Sequence, residues 1–129
     1  MGANELRLNN LIQDTNTNIL IVNGLHENKI YSIYPFGVDA KFEQTTDANK
    51  IEPIPLTEES IIKLGFKYYA DAQYILEIND IEFNWDKETG IYIFNGDSEF
   101  CFELEHIEYV HQLQNLFFAL TNTELVWIK

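Results

Sequence analysis

Two histidines, His106 and His111, lie five residues apart among Glu103, Glu105 and Glu108, a composition that could ligate a divalent metal. A metal needs donors converging on one point, and helical histidine pairs do so at a spacing of four. A spacing of five sets the two rings on different faces. Glu108 and His111 are one turn apart, but two donors do not make a site, so these histidines are expected at the surface or at a helix start. Cys101 is the single cysteine, which excludes an internal disulfide and any multi-cysteine zinc site. Its sequence neighbours Glu99 and Glu103 are acids, the opposite of the electropositive setting that activates a thiolate. Asp86 to Gly90 holds two acids and a glycine, but lacks the alternating oxygen ligands of a calcium loop and reads better as a hairpin turn. There is no phosphate-cradling glycine loop and no plausible Ser-His-Asp order. Carboxylates are too numerous for any one pair to signal acid–base catalysis. The expectation is a chain with no catalytic site, no cofactor and no metal.

Charge is the more informative property. Twenty-one acids face eight bases, a net −13 that opposes direct contact with a phosphate backbone or an anionic membrane. From Glu77 to Glu108 there are ten acids and one base, Lys87, so this quarter of the chain holds −9 of the total. Strand alternation sets Glu77, Glu82, Glu103 and Glu105 opposite apolar positions, where they can share one solvent-facing sheet surface. Like charges across neighbouring strands are mildly destabilising. A solvated face is the first explanation, and a docking surface for a basic protein is the second.

The elements that would carry these residues are readable in part. A 46% hydrophobic content supports a folded core, and no apolar run approaches the roughly 18 residues of a membrane span. The first residues carry no basic and apolar leader, and a cytoplasmic setting is expected. Leu6 and Leu8 suggest a weak strand running to about Asp14, followed by turn-like Thr15 to Asn18. Ile19 to Asn23 and Lys29 to Tyr34 read as strands, with either Asn23-Gly24 or His26-Glu27-Asn28 as the turn between them. Residues 35 to 50 read as irregular, with Val38 to Phe42 a candidate extended run. Thr57 is a natural N-cap for a helix from Glu58 to Leu64, with Glu58 and Glu59 in its first turn. Leu56 and Ile61 can staple its start, and Gly65 can end it with Phe66 folding back on Ile61.

Residues 73 to 105 read as a four-stranded antiparallel meander with breaks at Asn79-Asp80, Asp86 to Gly90 and Asn95 to Asp97. An amphipathic helix, about Glu108 to Leu120, should cover it with Val110, Leu113, Phe117 and Leu120. Glu124 to Ile128 is expected as a last short strand. The whole, residues 1–129, reads as one α+β domain with a small N-terminal β layer.

Three segments have a familiar order: Ala3 to Leu11, Glu52 to Glu59 with Leu64-Gly65-Phe66, and Tyr109 to Thr121. Together they resemble a family of small uncharacterised proteins encoded by phages, prophages and mobile elements of Bacteroidetes-type bacteria. Members of that family usually carry Gly where this chain has Asn9. If that Gly supplies a turn or bulge, Asn is its least costly replacement, because Asn tolerates positive φ. The resemblance implies a genetic setting and a shared fold, and no activity. The expected function is therefore a non-enzymatic interaction protein that binds or inhibits a basic host protein through the acidic sheet. Two other readings stand beside it. One is an acidic mimic of DNA, and the other a small-molecule binder using Tyr68, Tyr69, Tyr74, Trp85, Tyr92 and Trp127.

Overall fold

The structure, a computed structural model, describes residues 5–35, 43–95, 101–104 and 106–128. It is an α+β fold of two five-stranded antiparallel sheets with a short and a longer helix.

The first sheet comprises β1 (Leu11–Asp14), β2 (Ile19–His26), β3 (Lys29–Ile33), β4 (Gln44–Asp47) and β5 (Ile51–Glu52), in spatial order β4-β3-β2-β1-β5. β4 and β5 lie at opposite edges, yet only the 3-10 turn Ala48–Lys50 separates them. Laid flat, five strands at about 4.8 Å spacing would set those edges roughly 19 Å apart. Three 3-10 residues rise only about 6 Å. The sheet must therefore roll until its edges nearly meet, and it does so around Ile12, Leu20, Val22, Ile30 and Ile51. Residues 44 to 52 thus carry two strands and a 3-10 turn where an irregular segment is expected through residue 50; Val38 to Phe42 lies outside the described residues.

Two turns of this sheet are settled by its register. His26 pairs with Lys29, so the β2–β3 turn is at Glu27-Asn28, with Glu27 at φ 54°. Asn23-Gly24 instead marks a bulge where the register shifts between Val22 and Gly24. A Cβ on Gly24 would meet Tyr31 at 3.4 Å. At the N-terminal side, the strand expected from Leu6 begins only at Leu11. Residues before it close a tight turn, with the Asn10 N–H donating to the Arg7 carbonyl at 3.1 Å and Asn9 at φ 74°.

The second sheet is a meander of five strands, not four. β6 (Lys67–Ala70), β7 (Gln73–Ile78), β8 (Ile81–Asp86), β9 (Gly90–Asn95) and β10 (Cys101–Leu104) pair in sequence order. β6 has no buried residue and no alternation to reveal it. It joins β7 through Asp71 and Ala72, both at positive φ, a primed turn without the usual Asn or Gly pair. The β7–β8 turn uses Asn79 and Asp80, also both at positive φ.

Both helices cover one face of this meander. α1 (Glu58–Lys63) starts with reciprocal capping: the Ser60 N–H donates to Thr57 Oγ1 at 3.2 Å and the Thr57 N–H to Ser60 Oγ at 2.8 Å. It ends in a Schellman motif, with the Phe66 N–H donating to the Ile61 carbonyl and the Gly65 N–H to that of Ile62, at 3.2 and 3.0 Å. Gly65 sits at φ 96°, which a side chain resists. α2 (Val110–Thr121) lays Val110, Leu113 and Phe117 on the sheet, where the Phe117 and Phe83 rings meet at a 42° tilt with centroids 4.9 Å apart. Leu120, expected in that stripe, is exposed. Leu11, Ile19 and Ile21 on the outside of the rolled sheet join the same core.

The last strand expected at Glu124–Ile128 does not form. Its nearest backbone partner is the end of α1 and not an open strand edge. The Ile128 N–H donates to the Lys63 carbonyl at 2.6 Å, and Leu125 is buried. No helix of the described residues is long and apolar enough to cross a membrane.

Candidate functional site

The helices and the rolled sheet pack on the inner face of the meander, leaving its outer face unpacked by them. Register defines that face. Tyr74, Leu76, Phe83, Trp85, Ile91 and Ile93 point inward. Ile75, Glu77, Glu82, Asn84, Tyr92, Phe94, Cys101 and Glu103 therefore point outward, because successive side chains alternate.

Glu77 stands directly opposite Glu82 across β7 and β8, so their Cβ atoms lie about 5 Å apart. Neither carboxylate has an ion-pair or hydrogen-bond partner among the described residues. Glu103 shares the face but is two strands from Glu82, roughly 10 Å across the sheet. It accepts a long hydrogen bond of 3.4 Å from the Tyr92 hydroxyl beside it. Glu105 lies outside the described residues, as do Asp97 and Glu99. The acids are interleaved with Ile75, Asn84, Tyr92 and Phe94 and do not form a file.

Lys87, the one base in the stretch from Glu77 to Glu108, does not neutralise this face. Its ammonium reaches Glu58 of α1 at 2.7 Å, where the Tyr74 hydroxyl also donates at 3.0 Å. The Lys87 hydrogen bond, followed by that from Tyr74, holds the Glu58 carboxyl below the usual range. The same contact raises Lys87 and Tyr74 above theirs.

One corner of the outer face is hollow. A depression of about 480 Å³ is lined by Lys67, Tyr68 and Tyr69 of β6 and by Ile75, Glu77 and Glu82. Tyr69 is 67% exposed, whereas Tyr68 stands opposite inward-facing Tyr74 and meets its ring edge-on at 5.6 Å. Asn84, the outward neighbour of Ile75, is only 8% exposed, and its Oδ1 is buried with no hydrogen-bond partner. Sequence reasoning found the two glutamates and Tyr69 separately. It missed their meeting, because β6 carries no periodic signal, and it missed Asn84 altogether.

The remaining candidates separate. His106 is exposed. His111 is 3% exposed at the start of α2, stacked on Tyr109 at 6.0 Å, with Nδ1 unpartnered. It is therefore a helix-start histidine but not a surface one; burial depresses its pKa, partly opposed by the charge of Glu5. No group of three or more His, Cys, Asp or Glu among the described residues could hold a metal ion. Cys101 is exposed on the outer face. The aromatic set divides between core and surface: Tyr74 and Trp85 are buried 5.8 Å apart, whereas Trp127 lies under the Lys63 ammonium, which is 5.4 Å from its ring centroid.

The N-terminal turn and residues 54 to 56 are each tied to α2, at different points along it. Gln114 of α2 is 1% exposed, its Oε1 accepting the Leu11 N–H at 2.7 Å and its Nε2 donating to the Asn9 and Leu125 carbonyls. Arg7 donates to Asn115 and Glu124, and its guanidinium lies 4.5 Å from the Phe118 ring centroid. Residues 54 to 56 bridge to the start of α2, the Val110 N–H donating to the Ile54 carbonyl at 2.8 Å. No family model, curated protein or solved structure matches the chain.

Proposed function

We propose that this chain is a non-enzymatic, cytoplasmic interaction protein of a phage or mobile element that binds a basic host protein through the outer face of its second sheet. The supporting observation is the Glu77–Glu82 pair. Two like charges registered opposite each other destabilise their own sheet, and neither is ion-paired among the described residues, although Lys67 lines the same hollow. A cationic partner would turn that repulsion into attraction. The genetic setting rests on the resemblance of the three segments alone. Interleaving of the acids with Tyr92, Phe94 and Ile75 favours a partner with both cationic and apolar groups over mimicry of a phosphate file.

The test is affinity capture of the tagged protein from host lysate at low and moderate salt, read by mass spectrometry. A basic protein should be retained at low salt and released as salt rises. It should be lost when Glu77, Glu82 and Glu103 are changed together to Gln. A partner retained equally by that variant refutes the acidic-face reading, as does an empty capture at every salt.

A further inference from the structure

We infer that the β10 edge of the second sheet, with the apolar groove beside it, takes up an extended segment of the partner as a further strand, one in which apolar and basic residues alternate. The inference rests on the interaction reading above and names the form of partner that this sheet would hold.

The two sheets have four edges, and three are blunted in ways that discourage pairing. β4 is wholly polar, β5 is two residues long and runs into Pro53, and β6 carries Lys67 and a register shift between Tyr68 and Ala70. β10 has none of these devices. It pairs in unbroken register with β9 and, among the described residues, with no other strand. Cys101, Phe102 and Glu103 are all exposed, so both faces of the strand meet solvent. Its row of N–H and C=O groups on the side away from β9 is a template for another strand.

The two faces of that edge call for different side chains. On the inner face, Phe102 and Leu104 stand in register with Ile93 and Ile91. There Phe102 and Leu120 of α2, 61% and 45% exposed, border a groove of about 300 Å³ whose other walls include Ile81, Ile93, Leu104 and Leu116. An apolar side chain laid between them removes apolar surface from water on both walls. On the outer face stands Glu103, without an ion pair among the described residues. Charge around it is one-sided: no Lys or Arg lies between Lys87 and Lys129, a stretch with seven acids. Side chains of an added strand alternate between these faces. An apolar residue in the groove therefore sets its neighbours beside Glu103, where a cation is attracted. A second copy of the chain is a poor occupant, because it brings another −13 and its own Glu103 to the same edge.

The experiment is a ¹⁵N–¹H shift titration of the full chain with a short capped peptide in which Leu and Arg alternate. Three counterparts run in parallel: the same residues in block order, alternating Leu and Glu, and the first peptide with every backbone amide methylated. Saturable shifts should appear at Cys101 to Leu104, Leu116 and Leu120 with the Leu–Arg peptide. Affinity should fall about tenfold or more for each counterpart. Phe102→Ser and Leu120→Ser, both at exposed positions, should each weaken binding about three- to tenfold. Glu103→Lys should weaken the Leu–Arg peptide and admit the Leu–Glu one, an exchange of preference that loss of folding cannot imitate. Absence of saturable shifts at β10 overturns the proposal. So do equal affinity for the block-order or methylated peptide and an unchanged preference in Glu103→Lys. Self-association through β10 without peptide also overturns it, because the occupant is then a second copy. If lysate capture depends on Glu77, Glu82 and Glu103 but survives Phe102→Ser, and the peptide fails, this inference falls and the interaction reading stands. If the peptide saturates here and no basic protein is captured, the strand site stands and that reading falls.

Discussion

At the scale of single residues, position in the fold reverses what residue type suggests. His111 has the makings of a ligand or a surface group, but α2 buries it beside Tyr109 with Nδ1 unpartnered. Burial disfavours the imidazolium, so its folded pKa lies below the ordinary 6.5. The unfolded chain binds the proton first on acidification. The stability His111 contributes is therefore complete above about pH 6.5 and is lost as pH falls through that value and then through the folded pKa. Urea unfolding of the native chain and His111→Gln at about pH 7.5 and pH 5 checks this. The native chain should lose stability relative to the variant between the two, and parallel curves would contradict it. Asn9 makes the complementary point. It occupies φ 74°, a backbone that Asn accepts more readily than most side chains.

At the scale of elements, the joint between layers is made by polar side chains as well as by the apolar stripe. Gln114 sits on α2 between Leu113 and Phe117, yet it ties the strand start at Leu11, the turn at Asn9 and the C-terminal segment at Leu125. Replacing it with Leu keeps the volume but orphans three backbone groups, each worth about 1–3 kcal/mol when left buried and unpaired. Gln114→Leu should lower the free energy of unfolding by about 3 kcal/mol or more, read from the denaturant midpoint at unchanged slope. A loss under about 1 kcal/mol would mean that water or local shifts satisfy those groups. The helices themselves rest on local signals, Thr57 and Ser60 at one end of α1 and Gly65 at the other.

At the scale of the molecule, net charge −13 makes the compact state self-repelling. Salt should relieve that repulsion, because raising it from about 0.05 M to about 0.5 M shortens the Debye length to below about 5 Å. The midpoint of thermal unfolding should rise over that range. A midpoint that falls would mean that attractive pairs such as Arg7–Glu124 and Lys87–Glu58 outweigh the repulsion. The proposed interaction face, built from acids without ion pairs, would give up stability in the same way.

The sequence by itself determined the elements whose ends and faces are local matters. Thr57 and Gly65 bound α1, the alternation of Tyr74, Leu76, Phe83 and Trp85 marks the meander, and Val110, Leu113 and Phe117 set the core stripe of α2. Alternation also placed Glu77, Glu82 and Glu103 on one face, because the period of a strand is a property of the chain. Tertiary structure alone decided what depends on contact between distant residues. The rolled sheet exists because β5 finds β1 across Ala48–Lys50, and β6 exists because β7 offers it an edge. The extended tail at Glu124–Ile128 found no such edge and stayed outside the sheets. Pairing register set Glu77 against Glu82, and β6 brought Lys67 and Tyr69 to the same hollow. Backbone pairing of this kind is a property of two segments at once, and neither segment carries it alone.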